Sequence, residues 1–320
     1  MADTSYQIYS RFIDPMWIQP LRPSLHGREV IYPNPFVVGD GISNINTQTI
    51  GEMQAPIMQF AENDFEGMAK DSISLTNGSI KPVEIIEPFK IPRNLFNAFI
   101  NGNNIQMPQS INLAANFAYS AAYMVAKHEN SLIFNGWAPD GTNVTVPGLI
   151  SAATTFGNVD ATTYHFENFL QASLCAGNLI SLINNAGADP QAFNMTMNPG
   201  LYNVVNTVAS TAGVREMDNL IKVLNPASEM NPAIPKTGRV IKDFSLPWVQ
   251  GTGIGTVLIS PVDPTRTWME LYITVDYRSL LSPAATLPEL RPLEGAVYCC
   301  TVPHVKQPGA LAVATGAQIT

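Results

Sequence analysis

The sequence predicts an α+β chain: an extended arm, a long two-stranded excursion, one long helix, and a compact α/β module followed by closing strands. Three observations predict it. The first 43 residues hold Pro15, Pro20, Pro23, Pro33 and Pro35, and no periodic apolar pattern survives them. Residues 108–136 form one alanine-rich stretch with a helical stripe. From about 138 to 265, helix-period and strand-period segments alternate.

Taken in order, residues 1–43 read as an arm. Arg11, Arg22 and Arg28 are interleaved with Tyr6, Tyr9, Phe12 and Trp17. The residues favour a solvated tail with anchoring aromatics; the alternative is a basic arm that touches nucleic acid or an acidic partner, with Arg11, Trp17, Arg22 and Arg28 as the candidate contact residues. Residues 44–60 and 80–92 alternate polar and apolar positions like strands. Between them lie Glu62, Asp64, Glu66, Lys70 and Asp71, the densest local charge in the chain, with turn residues Gly67, Asn77 and Gly78. The expectation is a two-stranded excursion with a charged tip. A ribbon of two strands is marginal alone in water, so it needs another surface or another subunit.

Residues 92–103 predict a short amphipathic helix, with Leu95, Phe96, Phe99 and Ile100 on one side and Gly102 as its stop. In the long helix, Pro108 suits a first turn, and Ala114, Ala115, Ala118, Ala121, Ala122 and Ala126 supply propensity without bulk. Ile111, Ala114, Ala118, Ala121, Val125 and Leu132 fall on one stripe. About 25 residues give a strut of roughly 37 Å against which other elements can lie close. Beyond it, 164–187 predicts a helix stopped by Gly187, 192–199 a strand, and 200–210 and 215–225 short helices. Strands follow around the turn QGTGIG and again from 267 onward, where they can pair with earlier elements.

Composition narrows the function. Hydrophobic residues make up 46%, enough for a sizeable core, but Asp, Glu, Lys and Arg only 13%, against about 25% in an ordinary soluble domain. A low-charge, amide-rich surface tolerates being covered by neighbours, which favours assembly. The net charge of -8 and the absence of a basic run exclude a dedicated nucleic-acid binder. Cys175, Cys299 and Cys300 lack metal-ligand spacing, and adjacent Cys299 and Cys300 lie in a strand-like run where they face opposite ways, so buried thiols are expected rather than a disulfide. With no export signal, the compartment is expected to be reducing, and the triplets at Asn77, Asn143 and Asn194 carry no glycan. No run of about 18 apolar residues predicts a membrane span.

No catalytic, cofactor or metal site emerges. Gly251, Gly253 and Gly255 precede strand and turn residues rather than a helix, so they read as a hairpin turn, not a phosphate loop. His26, His128, His165 and His304 share no acidic spacing, and His128 and Glu129, being adjacent on a helix, cannot face each other. Asp140 and Asp263 sit in turns.

This order of elements resembles the Hong Kong 97-type capsid fold, shared by major capsid proteins of tailed bacteriophages and by encapsulin shells. Residues 82–150 carry the resemblance at residue level. PVEIIEPFKIPRNLFNAFINGNNIQ resembles the end of the family's extended loop and the helix after it. SINLAANFAYSAAYMVAKHENSLIFNG resembles its spine helix, which ends in an acidic residue, an Ile-Phe pair and a glycine, here Glu129, Ile133, Phe134 and Gly136; a Gly-Leu-Ile step follows at Gly148.

The resemblance implies a division into an N-terminal arm (1–43), an E-loop (44–91), a P-domain (92–137 and 267–320) with the spine helix, and an α/β A-domain (138–266). It implies a structural protein and no enzyme. Its copies would form hexamers and pentamers of an icosahedral shell around double-stranded DNA in a virion, assembled in the host cytoplasm. Scaffolding, portal and decoration proteins are further candidate partners, and the acidic balance suits a shell that encloses DNA without gripping it. The E-loop tip (Glu62, Asp64, Glu66, Lys70, Asp71) becomes an assembly candidate. The alternative within the fold is an encapsulin enclosing cargo enzymes; against it stands the proline-broken arm where those shells carry a helix.

Overall fold

The computed structural model describes residues 25–34, 44–50, 75–91, 113–139, 146–249, 253–281 and 293–319. The short helix expected at 92–103 lies outside them.

The excursion begins with β1 (Ile45–Ile50), antiparallel to β2 (Leu75–Ile80), with Ile45 opposite Ile80 and Ile50 opposite Leu75. This corrects the expected pairing. Asn77 and Gly78, expected in a turn, sit inside β2 opposite Gln48 and Thr47; a Cβ on Gly78 would come within 2.6 Å of Thr47 Oγ1. The strand expected to complete the excursion, β3 (Val83–Ile91), instead pairs antiparallel with β10 (Leu293–Val305), which pairs in turn with β9 (Met269–Leu281). The physical reason is burial. Ile85 and Phe89 of β3 face an apolar cluster, while Glu84, Ile86, Pro88 and Lys90 alternate outward. Pro88 donates no ladder bond and is tolerated because β3 is an edge strand of this three-stranded sheet.

The cluster's other wall is the long helix, Leu113–Asn135, whose 23 residues span roughly 34 Å. A four-residue helix precedes it in the arm, so that one, Gly27–Val30, is α1 and the long helix α2. The expected stripe packs as predicted where described: Ala121 and Val125 meet Phe89, Val297 and Cys299, Ala118 is partly buried there, and Leu132 meets Val146 and Val302. Ile111 and the side chain of Ala114 lie outside the described part. Alanines keep the helix close to the sheet, so its backbone rather than bulky side chains sets the spacing.

The remaining module is a six-stranded sheet in the order β4 (Asn158–Asp160), β11 (Ala312–Ala317), β8 (Ile254–Pro261), β5 (Phe193–Met197), β6 (Val240–Lys242), with β7 (Trp248–Val249) also on β8. Helices α3 (Leu149–Phe156), α4 (Gln171–Asn185), α5 (Pro199–Thr207), α6 (Glu216–Val223) and α7 (Pro226–Met230) complete it. On one face Met195, Met197, Val257 and Ile259 pack with Leu179, Ile183, Leu201 and Leu220. On the other, Leu258, Ile241 and Val313 meet α3, the end of α2, β9 and the arm residues Val30 and Ile31.

Several expectations need adjustment here. Residues 312–317, expected with the peripheral closing strands, hydrogen-bond between β4 and β8 of the module's sheet instead. The helix expected from 164 starts at Gln171, because Leu170 adopts a left-handed φ of 74° and Phe166 is tied through its N–H to Gln318 O. Gly187 ends it as expected, at φ +87°. Trp248 pairs with Gly255 across the glycine turn, a hairpin as read. Helix α3 had no counterpart in the sequence reading.

Candidate functional site

The arm meets the long helix through a buried polar junction, and the sequence dictates much of it. A helix start leaves N–H groups without intrahelical acceptors. At α1 these are supplied from far away: His26 N–H donates to Asp243 Oδ2 at 3.0 Å, and Gly27 N–H to Asn130 Oδ1 at 2.6 Å. Asn130 donates through Nδ2 to Asp243 Oδ1 (2.8 Å) and Ser245 Oγ (2.7 Å). A Cβ on residue 27 would lie 2.6 Å from Asn130 Oδ1 and 2.9 Å from Ile133 Cδ1, so any larger residue there has to displace both side chains.

One residue on, Arg28 grips Glu129 bidentately, Nε to Oε2 and Nη2 to Oε1, both at 2.9 Å. Nη2 also reaches Asp276 Oδ1 at 3.0 Å. The guanidinium lies 4.5 Å from the ring centroid of Tyr277, whose hydroxyl donates to Glu129. Glu129 is only 2% exposed, so its charge is tolerable only because these donors surround it. Burial alone lowers the pKa of Arg28, but the hydrogen bond and charge of Glu129 outweigh it and hold the guanidinium above its ordinary value. Burial, then the Glu129 charge, push the Tyr277 hydroxyl well above its usual range.

A third anchor follows. Tyr32 to Asn34 run along β9, with Leu271 N–H donating to Tyr32 O and Asn34 N–H to Leu271 O. Asn34 Nδ2 donates to Glu270 Oε2 at 3.0 Å; Lys306 Nζ stands 3.1 Å from Glu270. His304 lies 3.8 Å away and stacks on Tyr272.

Below Glu129, Ile133 and Phe134 are fully buried in the core shared by both sheets. Gly136 has φ +78°, and a Cβ there would sit 2.3 Å from Val146 O; one on Gly148 would sit 2.2 Å from Gly136 N. The two glycines let Trp137 and Val146 exchange backbone hydrogen bonds, a bridge between the residues just after α2 and those just before α3.

Of the residues singled out from sequence, the structure thus brings together Arg28, Glu129, Ile133, Phe134 and Gly136. Arg11, Trp17, Arg22, Asp140 and the charged tip (Glu62, Asp64, Glu66, Lys70, Asp71) lie outside the described residues. His128 bonds Met124 O of its own helix rather than Glu129, and Asp263 accepts N–H donors within its own turn, as read. Cys175 and Cys299 are buried and Cys300 half-buried, all as free thiols. Asn130, Asp243, Asp276 and Tyr277 were missed; nothing local in the sequence marks them. Among the described residues no group of His, Cys, Asp or Glu is placed to hold a metal, and no helix is long and apolar enough to cross a membrane. The junction's carboxylates are occupied by donors, and they tie the arm to the long helix.

No protein-family model matches the chain, and no curated protein matches it. Solved structures do. The capsid of Myoviridae phage XM1 aligns at 14% identity and a TM-score of 0.63 over 95% of this chain and 96% of that one. The capsid of the native GTA particle aligns at 14% identity and 0.59 over 96% of each. The virus-like particle from Pyrococcus furiosus aligns at 13% identity and 0.55 over 89% and 90%. Over nearly its whole length, the chain therefore has the fold of these capsid and virus-like-particle subunits, the Hong Kong 97-type fold that its long helix and closing glycine resemble.

Proposed function

We propose that the protein is a major capsid protein, a structural subunit and not an enzyme, whose copies form hexamers and pentamers of an icosahedral shell around double-stranded DNA. The observation that carries this reading is the end-to-end match of fold to phage capsid subunits, 95% of one chain on 96% of the other. In this reading residues 1–43 are the arm, the hairpin of β1 and β2 is the base of the E-loop, α2 with the three-stranded sheet is the P-domain, and the six-stranded sheet with its helices is the A-domain. The tip residues Glu62 to Asp71 and the arm residues Arg11, Trp17 and Arg22 are then contacts between copies. The 13% charged composition supports it, as do apolar groups left on the surface: Met230 is 88% exposed, Ile86 51% and Trp137 46%. Portal, scaffolding and decoration proteins are its further partners, and the virion its location.

A cellular compartment of the same fold is the second reading, favoured by the likeness to the virus-like particle, at the lower TM-score of 0.55. Light scattering after size exclusion separates the two. Narrow megadalton particles support a shell. Their mass divided by 34.7 kDa distinguishes the smallest icosahedral shell from a larger phage capsid. A stable dimer or tetramer at every concentration overturns both.

A further inference from the structure

The six-stranded sheet carries a group of buried polar side chains on one face, among the apolar residues there. Register places Asn194 of β5 directly opposite Ser260 of β8, with Thr196 two residues along β5 on the same side. The intervening Met195, Met197, Val257 and Ile259 belong to the core on the other face. The three polar side chains therefore lie on the side of Leu258, Ile241 and Val313. Asn194 is 2% exposed, Thr196 and Ser260 0%. Among the described residues, Asn194 Oδ1, Thr196 Oγ1 and Ser260 Oγ find no hydrogen-bond partner.

A buried oxygen without a partner is strongly unfavourable, and three on adjacent positions of one sheet face call for a shared partner. Side chains directly opposite in an antiparallel pair stand about 4.5–5.5 Å apart at Cβ, so one small molecule above the sheet can touch both Asn194 and Ser260. That molecule has to donate to the Asn194 oxygen and either donate to or accept from the two hydroxyls. It has to be neutral, since the three groups supply no compensating charge. We propose that Asn194, Thr196 and Ser260 form an internal binding site for water, a permanent part of the sheet. The site stands independently of shell formation.

Two measurements on the full chain test it. A structure at a resolution that shows internal solvent is expected to contain a discrete water peak within hydrogen-bond distance of Asn194 Oδ1 and Ser260 Oγ. Thr196→Val, which keeps the shape but removes one of the water's partners, is expected to melt a few degrees lower, and Ser260→Ala likewise. Both results together sustain the site. Absence of the peak, or a higher melting temperature for Thr196→Val, overturns it, since replacing a dry, unpartnered hydroxyl by a methyl stabilises.

Discussion

Arg28 and Glu129, 101 residues apart, form a bidentate ion pair whose carboxylate is almost fully enclosed and also accepts from Tyr277. The pair ties the arm to the long helix, and Asp276 and Tyr277 bring β9 into the same knot. Breaking one side of such a pair is worse than never having it, because the other charge stays buried.

Arg28→Ala is therefore expected to destabilise the chain by about 3 kcal/mol, read from urea unfolding. Arg28→Lys keeps the charge but not the planar fork, and it falls between the two. Replacing both partners by apolar residues of similar size costs less than Arg28→Ala alone. Equal stability of wild type and Arg28→Ala would show that the pair does not hold the arm.

Two glycines of opposite character make a second test. Gly148→Ala inserts a methyl 2.2 Å from Gly136 N and 2.6 Å from Phe134 O, both backbone atoms that cannot move without disturbing the end of α2 and the Trp137–Val146 bridge. Loss of soluble folded protein is expected. Gly177 lies inside α4 with nothing within 4 Å of its would-be Cβ. Gly177→Ala is expected to raise stability by roughly 0.5–1 kcal/mol, through helix propensity alone. Thermal melts of the two variants should move in opposite directions.

These residues also show what a sequence can and cannot reveal. The α2 stripe was legible because alanines and Val125 recur at helical spacing, a local property. Gly136 was legible as part of a family pattern, and its left-handed backbone gives that pattern its cause. The partner of β3 was not legible, because β10 lies some 200 residues away and strand alternation does not encode which strand pairs with it. Asn77 and Gly78 misled because Asn-Gly is the strongest local turn signal, overridden here by pairing with β1. Arg28 and Glu129 were each singled out, for different reasons, but only the fold could say that they meet.

The thiols provide a third prediction. Burial pushes the Cys175 thiol up to about 12 and raises Cys299 further, with the Glu129 charge adding to it. Only Cys300 is partly accessible. Thiolate, not thiol, reacts with disulfide reagents, so the native, dissociated chain is expected to label slowly and at Cys300 first. Cys175 and Cys299 should react only at the rate of unfolding. Fast labelling of Cys175 in the native state contradicts its place on the buried face of α4.

The third arm anchor makes stability depend on pH in two windows. Burial raises the pKa of Glu270, but hydrogen bonds from Tyr272, Lys306 and Asn34 and the Lys306 charge outweigh it, so the carboxyl titrates below its ordinary value. Its contribution is complete above about pH 4.5 and lost as pH falls below it. His304 is held below its ordinary value, chiefly by burial and against the pull of Glu270. The folded chain keeps it neutral while the unfolded chain takes up a proton below about pH 6.5, so stability begins to fall there. Urea midpoints at about pH 7.5, 5.5 and 4 separate the two. His304→Phe, which keeps a ring against Tyr272, is expected to flatten the upper window only. Glu270→Gln is expected to weaken the chain at neutral pH and to converge with wild type in acid. Parallel pH profiles for wild type and both variants would mean that neither group titrates differently on folding, and would remove the arm's third anchor from the account of its acid sensitivity.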